Sequence, residues 1–394
     1  MSRVCSIFSQ LLQLFPRVEF ERAVREHQAE RHARGFTSWG QFVAMLFCQL
    51  GRAHSLREIC GGLACCEGKL KHLGIPLAPK RSTLAYANEH RPWQLFQTIF
   101  QQLLERARQV VYAQGGPKKF RFKNKLMSLD ASVIDLSVSM FDWAKFRRTK
   151  GAIKLHLLLD HDGYLPSFAV VTEGKAHEIR VARTLRFEPG TILAIDRGYT
   201  DYGWFVELTR QEVYFVTRLK EKAAYVVEAE CEVPKNRNVL KDELIWFPSV
   251  TRAGEEPVLF RRVEVWDEDQ QGALVFLSNL LSFGATTIAA IYKERWQVEL
   301  FFKAIKQNLK IKTFVGTSAN AVKTQVWAAL IAMLLVKYLQ LKARFQWSLS
   351  NLIALLRQQL FVYRDLYQWL DDPFQAPPVL AGVHDAQLEL GLEW

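Results

Sequence analysis

Apolar positions recur at helical spacing through the first 110 residues. Phe8, Leu11, Leu12 and Phe15 form one stripe before Pro16. From Thr37, T-S-W-G-Q-F-V-A-M-L-F-C-Q-L offers an N-cap and then an apolar stripe. Ser55 opens S-L-R-E-I-C-G-G-L with Glu58 three residues on, a capping-box pattern that Gly61-Gly62 is expected to end. A short helix is expected from Arg81 and a long one from Trp93 to Ala107. Short helices with exposed Arg and His fit a helix-turn-helix-like module, and a plain helical bundle equally well.

After residue 115 the pattern changes. Leu126-Met127-Ser128-Leu129 is a short apolar run read as a strand that Asp130 ends. Residues 152–160 and 167–172 read as strands joined by the turn Asp162-Gly163, 177–187 as a helix, and 191–196 as a strand again ending in Asp. A helix from about 201 and a strand at 213–218 follow, giving an α/β layout with a mixed sheet. Residues 222–282 alternate in strand fashion and read as a β-rich insertion. Helical periodicity resumes at Thr286 and runs to about 370, and the tail from Pro373 is expected to be poorly ordered. The most apolar stretch, 326–336, is followed by Lys337 and reads as a buried core helix rather than a membrane span.

One expected helix combines two kinds of face. In I-Y-K-E-R-W-Q-V-E-L-F-F-K-A-I-K, residues 291–306, Tyr292, Arg295, Glu299 and Lys306 fall within roughly 60° of arc. Val298, Phe301, Phe302, Ile305 and Leu309 gather on the other side. A carboxylate set among cations suits a metal ion working on a phosphodiester; a salt bridge from Glu299 to Arg295 is the simpler reading of the same spacing.

Size and composition narrow the field. With 394 residues the chain can form two or three domains and a large core. Lys and Arg number 52 against 40 acids, a net charge of +12 that favours an anionic partner, nucleic acid before membrane surface. Basic runs at 118–125 and 145–150 flank the same acidic stretch. None of the six cysteines forms a C-x-x-C pair, which favours free thiols in a reducing cytosol over a zinc site. The N-terminus has no signal-peptide pattern, so a cytoplasmic location is expected.

Asp130 and Asp196 each follow a short apolar strand, where carboxylates of α/β sheets meet ligands. With Glu299 they make an oxygen-only set suited to Mg²⁺ or Mn²⁺. Two such ions about 3.5–4 Å apart can clamp an in-line phosphoryl transfer. A lone Asp after a strand also serves as a turn former, the role assigned to Asp135, Asp142, Asp160, Asp162 and Asp201.

Taken in order, these motifs resemble the insertion-sequence-4 type DDE transposases. Tyr292, Arg295, Glu299 and Lys306 stand as in that family's Y-R-E-K signature. D-R-G-Y at 196–199 resembles its second-aspartate motif and L-D-A-S-V-I-D-L at 129–136 its first, with Ala131 where Gly or Ser is frequent. G-A-I-K-L-H at 151–156, T-E-G-K-A-H-E at 172–178 and the segment 314–325 are similar to the intervening and following stretches.

The resemblance implies an RNase H-like core in two parts, 116–221 and 284–345, interrupted by a β-strand insertion at 222–283. A helical DNA-binding domain at 1–115 precedes it and a helical tail at 346–394 follows. It implies Asp130, Asp196 and Glu299 as catalytic ligands of two Mg²⁺ or Mn²⁺ ions, and Tyr292, Arg295 and Lys306 as the hold on the DNA end. An aromatic of the insertion, Trp266 in preference to Trp246, would stack on a flipped base. Arg218, Lys154, His156, Lys145, Arg147 and Arg148 are further DNA contacts, while His177 and Trp143 are open to a structural role. The implied activity is cut-and-paste transposition of an insertion sequence through a hairpin intermediate, by a homodimer on double-stranded DNA without a membrane. The alternatives are a repurposed DNA-binding protein and another RNase H-like nuclease.

Overall fold

A computed structural model of the chain describes residues 5–374 apart from 32, 34, 67, 115–118, 137–144, 148–149, 175–176, 236–237 and 309–313; for 145–147, 150, 151 and 308 it describes the backbone alone. Trp143, Arg148, Leu309 and the tail beyond 374 therefore lie outside the described residues.

Helices come first: α1 (Ile7–Gln13), α2 (Arg17–Glu26), α3 (Ser38–Leu50), α4 (Leu56–Ala64), α5 (Arg81–His90) and α6 (Gln94–Gln114). The caps read from sequence are present. Thr37 Oγ1 accepts from Gly40 N at 3.1 Å and Ser55 Oγ from Glu58 N at 3.2 Å. Gly61-Gly62 does not end α4, which continues to Ala64. A Cβ on Gly62 would stand 2.9 Å from the Phe47 ring, so the glycine serves close packing of α4 on α3 rather than termination.

The strands are β1 (Leu126–Leu136), β2 (Lys145–Arg147), β3 (Lys150–Asp160), β4 (Leu165–Glu173), β5 (Ile192–Ile195), β6 (Tyr214–Arg218), β7 (Val226–Glu230), β8 (Val239–Trp246), β9 (Phe260–Asp267) and β10 (Gly272–Ser278). Two short helices, α7 (Glu178–Ala182) and α8 (Tyr202–Arg210), lie among them. All ten strands join one sheet, ordered β2-β3-β1-β5-β6-β10-β9-β8-β7, with β4 also on β3. The centre, β1, β5 and β6, is parallel, and both flanks are antiparallel. The β-rich stretch after 222 thus extends the central sheet through β10, which pairs with β6.

The chain closes with α9 (Ala285–Glu294), α10 (Trp296–Asn308), α11 (Ala319–Lys342), α12 (Leu349–Gln359) and α13 (Leu366–Asp371). α11 is long and apolar enough to cross a membrane, yet 83% of its apolar stretch is buried inside the protein. One core cluster joins α1, α3 and α6 with α11, with α10 and with the even-numbered face of β1 at Ile134 and Leu136. The opposite sheet face packs against α8 through Leu129, Ile195 and Phe215.

Candidate active site

Strand register brings the two aspartates together. Leu129 of β1 pairs with Ile195 of parallel β5, so the next residues, Asp130 and Asp196, stand side by side and face the same way. β5 stops at Ile195, but β1 runs on to Leu136, so Asp130 lies within its strand and not at the end expected from sequence. The apolar run signalled only the stretch buried on both faces. Beyond it Asp130 and Ser132 are only partly buried while β3 continues the pairing, Asp130 opposite Leu157. β6 adds a third position: Ala194 pairs with Val216, which sets Arg218 level with Asp196.

The D-R-G-Y residues have separate tasks. Asp196 Oδ2 accepts from Gly198 N at 2.8 Å, closing a 3₁₀ turn over Arg197–Tyr199. A Cβ on Gly198 would sit 3.1 Å from that same oxygen. Tyr199 is buried and its hydroxyl meets His156 Nδ1 at 3.0 Å. His156 also meets Thr172 Oγ1 at 3.0 Å, and burial holds its pKa down to about 4.

Glu299 comes from the other side of the sheet's opening. The expected single helix over 291–306 is two, α9 and α10, meeting at Arg295. The four signature residues still converge, because Arg295 keeps a helical backbone at the joint. Its Nη1 donates to Asp130 Oδ2 at 2.9 Å and its Nη2 to Glu299 Oε1 at 2.6 Å, while Asp196 Oδ1 lies 4.0 Å from Nη1. One guanidinium therefore spans all three acids. Tyr292 lies beside it, ring centroid 5.3 Å from Arg295 Cζ, and packs on Phe276 of β10. Buried Glu294 anchors the joint through an ion pair with Lys119, and lies 3.8 Å from His161, which bonds Ser128 of β1 at 2.7 Å.

Electrostatics at the centre are unbalanced. Burial, and after it the charges of Asp196 and Glu299, push the Asp130 carboxyl up to about 7, although Arg295 and the Ala131 N–H, 2.7 Å away, draw it down. Burial disfavours the Arg295 charge, but Tyr292, Asp130 and Glu299 outweigh it and hold its pKa above the ordinary value. The acids line a cleft of about 520 Å³ together with Ser132, Lys303 and Lys306. Lys306 Nζ donates to Val133 O at 2.9 Å on the cleft wall.

An oxygen-only donor set beside an acid still raised to about 7 despite its arginine fits a hard divalent cation in kind. With the guanidinium among them, no three acids or other His or Cys ligands among the described residues stand close enough to hold one ion together.

Other sequence candidates are placed differently. Lys154 pairs opposite Val133 on β3, so it faces the sheet side away from Asp130. It is buried at 8% exposure and bonds Glu178 at 2.7 Å, which removes it from the cleft. Trp266 is 39% exposed on β9, two strands beyond β6, and Trp246 is half-buried at the end of β8. Lys145 and Arg147 belong to β2 by backbone. Sequence reasoning passed over Ser132, two residues past Asp130 on the same face, and Lys303, one helical turn past Glu299. It also passed over Trp296, which follows Arg295 and is 56% exposed. Period-2 and i+4 spacing from the acids would have found the first two.

Acids from two parallel strands and a helix thus meet beside Lys303 and Lys306 on the mixed sheet of an α/β protein. Residues 126–335 match the Transposase DDE domain family, and 4–76 match a domain of unknown function, DUF4372. A protein named as transposase y4zB from Sinorhizobium fredii is 30% identical over 314 residues, covering 78% of this chain and 85% of its own. The transposase named for insertion sequence element IS5377 from Geobacillus stearothermophilus is 27% identical over 59% of this chain and 61% of its own. The piggyBac transposase synaptic complex with hairpin DNA aligns over 96% of this chain and 84% of its own at 10% identity and a TM-score of 0.44. The chain belongs to the DDE transposase family and is a transposase enzyme, in keeping with its insertion-sequence-4 resemblance.

Proposed function

We propose that this transposase carries out cut-and-paste transposition of an insertion sequence, with Asp130, Asp196 and Glu299 as its catalytic carboxylates on an RNase H-like core. The observation that carries the reading is the convergence of the three acids on one cleft from β1, β5 and α10. Asp130 and Asp196 would hold Mg²⁺ or Mn²⁺ from the strand side and Glu299 from the helix side. Two bound ions would supply Lewis-acid charge at the attacking and leaving oxygens of a phosphodiester.

The chain's own residues bind and orient the DNA. Lys303 and Lys306 on the cleft wall, with Arg218 level with Asp196, give the strand a cationic approach. Arg218 and Tyr292 flank the acids. Trp266 is the aromatic assigned to a flipped base. A hairpin intermediate at the transposon end and a homodimer on paired double-stranded ends complete the proposal.

Asp196→Asn tests it: duplex binding by anisotropy should persist while Mn²⁺-dependent strand cleavage drops at least about 100-fold. Undiminished cleavage by Asp196→Asn would remove the carboxylates from the chemistry. Cleavage lost together with DNA binding would point to a binding role for the cleft.

A further inference from the structure

We propose that Arg295 is an internal cation that competes with the divalent metal for the three carboxylates, so that metal binding requires its guanidinium to give up Asp130 and Glu299. The proposal rests on the reading of Asp130, Asp196 and Glu299 as the metal-binding acids.

The contacts make the competition steric as well as electrostatic. The guanidinium bonds Asp130 Oδ2 at 2.9 Å and Glu299 Oε1 at 2.6 Å. Those atoms are two of the donors a shared ion would need, and a cation cannot take them while a second positive group stands between them. Arg295 Nη1 also lies 4.0 Å from Asp196 Oδ1, so the third acid is drawn toward the same charge. A planar fork with five donors suits this bridging, where the point charge of Lys does not. Among the described residues the buried Arg295 Nε has no hydrogen-bond partner, so the side chain is not fully satisfied in this position.

Release of the side chain is local. The backbone joint that carries Arg295 is held by Glu294 through Lys119 and by the packing of Tyr292 on Phe276. The Tyr292 ring, 5.3 Å from Cζ, already faces the cation beside the acids and so does not tie it to them. An anion entering the cleft past Lys303 and Lys306 gives it a bidentate partner. A DNA phosphate that draws Arg295 away thus exposes the acids to metal, and by linkage bound metal frees Arg295 for the phosphate. This arrangement couples metal loading to DNA loading through one side chain.

The test uses the full chain without DNA, with Mn²⁺ titrated by isothermal calorimetry into wild type, Arg295→Gln, Arg295→Lys and Asp196→Asn, each checked for folding by thermal unfolding. Removing the internal cation in Arg295→Gln should tighten Mn²⁺ binding by roughly 5–150-fold, the range of a typical coupling, and Arg295→Lys by less. In a second measurement, Ca²⁺ should strengthen duplex binding by wild type more than by Arg295→Gln. Unchanged or weaker Mn²⁺ binding by Arg295→Gln, with binding lost in Asp196→Asn, overturns the competition and leaves the carboxylate reading standing. Mn²⁺ binding indifferent to Asp196→Asn overturns both. If Arg295→Gln does not fold, wild-type Mn²⁺ affinity in Arg295→Lys overturns the proposal.

Discussion

Single residues decide whether the carboxylates can meet. Asp196 is aimed by a turn that depends on Gly198, whose missing Cβ leaves room for Asp196 Oδ2 at 2.8 Å from the backbone N–H. Gly198→Ala would place a methyl 3.1 Å from that oxygen, closer than ordinary contact, and turn the carboxylate aside. The expected outcome is a fall in Mn²⁺-dependent cleavage of about tenfold or more with unfolding stability changed by less than about 1 kcal/mol. Cleavage kinetics and a denaturant melt on the same preparation check it; equal losses in both would assign Gly198 a folding role only. The sequence made D-R-G-Y conspicuous, but the division of labour within it became visible only when Tyr199 was seen to bury itself and bond His156.

At the level of elements, the two faces of β1 and β3 set the acids apart from His156 and Lys154. Asp130 and Ser132 look toward α10, while His156 and Lys154 look toward α7 and Tyr199. Burial lowers His156 to about 4, well under its unfolded value, so the folded chain binds fewer protons than the unfolded chain between those values. This contribution to stability is present above about pH 6.5 and is lost as pH falls toward 4. His156→Gln should therefore flatten the fall in melting temperature between pH 6.5 and 4, read by thermal unfolding across that range. An unchanged slope would relieve His156 of that role. The period of two within each strand was legible in the sequence, but the pairing register of β1 with β3 sets Lys154 and Asp130 on opposite faces. Lys154, bonded to Glu178, stands on the face of β3 away from Asp130, a placement that spacing within one strand does not reveal.

Across the whole molecule, α11 ties the parts together. Its residues share one buried cluster with α3, α6, α10 and the sheet, so helices before residue 115 and acids near 130 and 299 depend on the same core. Fully buried Leu330 should cost about 2–5 kcal/mol when changed to Ala. Its loss should shift tryptophan fluorescence and far-UV circular dichroism by the same amount in one denaturant transition. Two separated transitions would show that the N-terminal helices fold independently of the sheet.

The sequence by itself determined the elements and the chemistry available. Helical and strand periods, caps and turns are local properties, and the family motifs hold the acids and cations at fixed places in the chain. Tertiary structure decided the rest. Parallel pairing of β1 with β5 set Asp130 beside Asp196, and the joint between α9 and α10 brought Glu299 opposite them. Sixty-odd residues separate the aspartates and more than a hundred separate each from Glu299, so no local period links them. The same distance hid Arg295's part. From spacing it was a neighbour of Glu299 alone, and only the packed sheet shows its guanidinium shared among three acids.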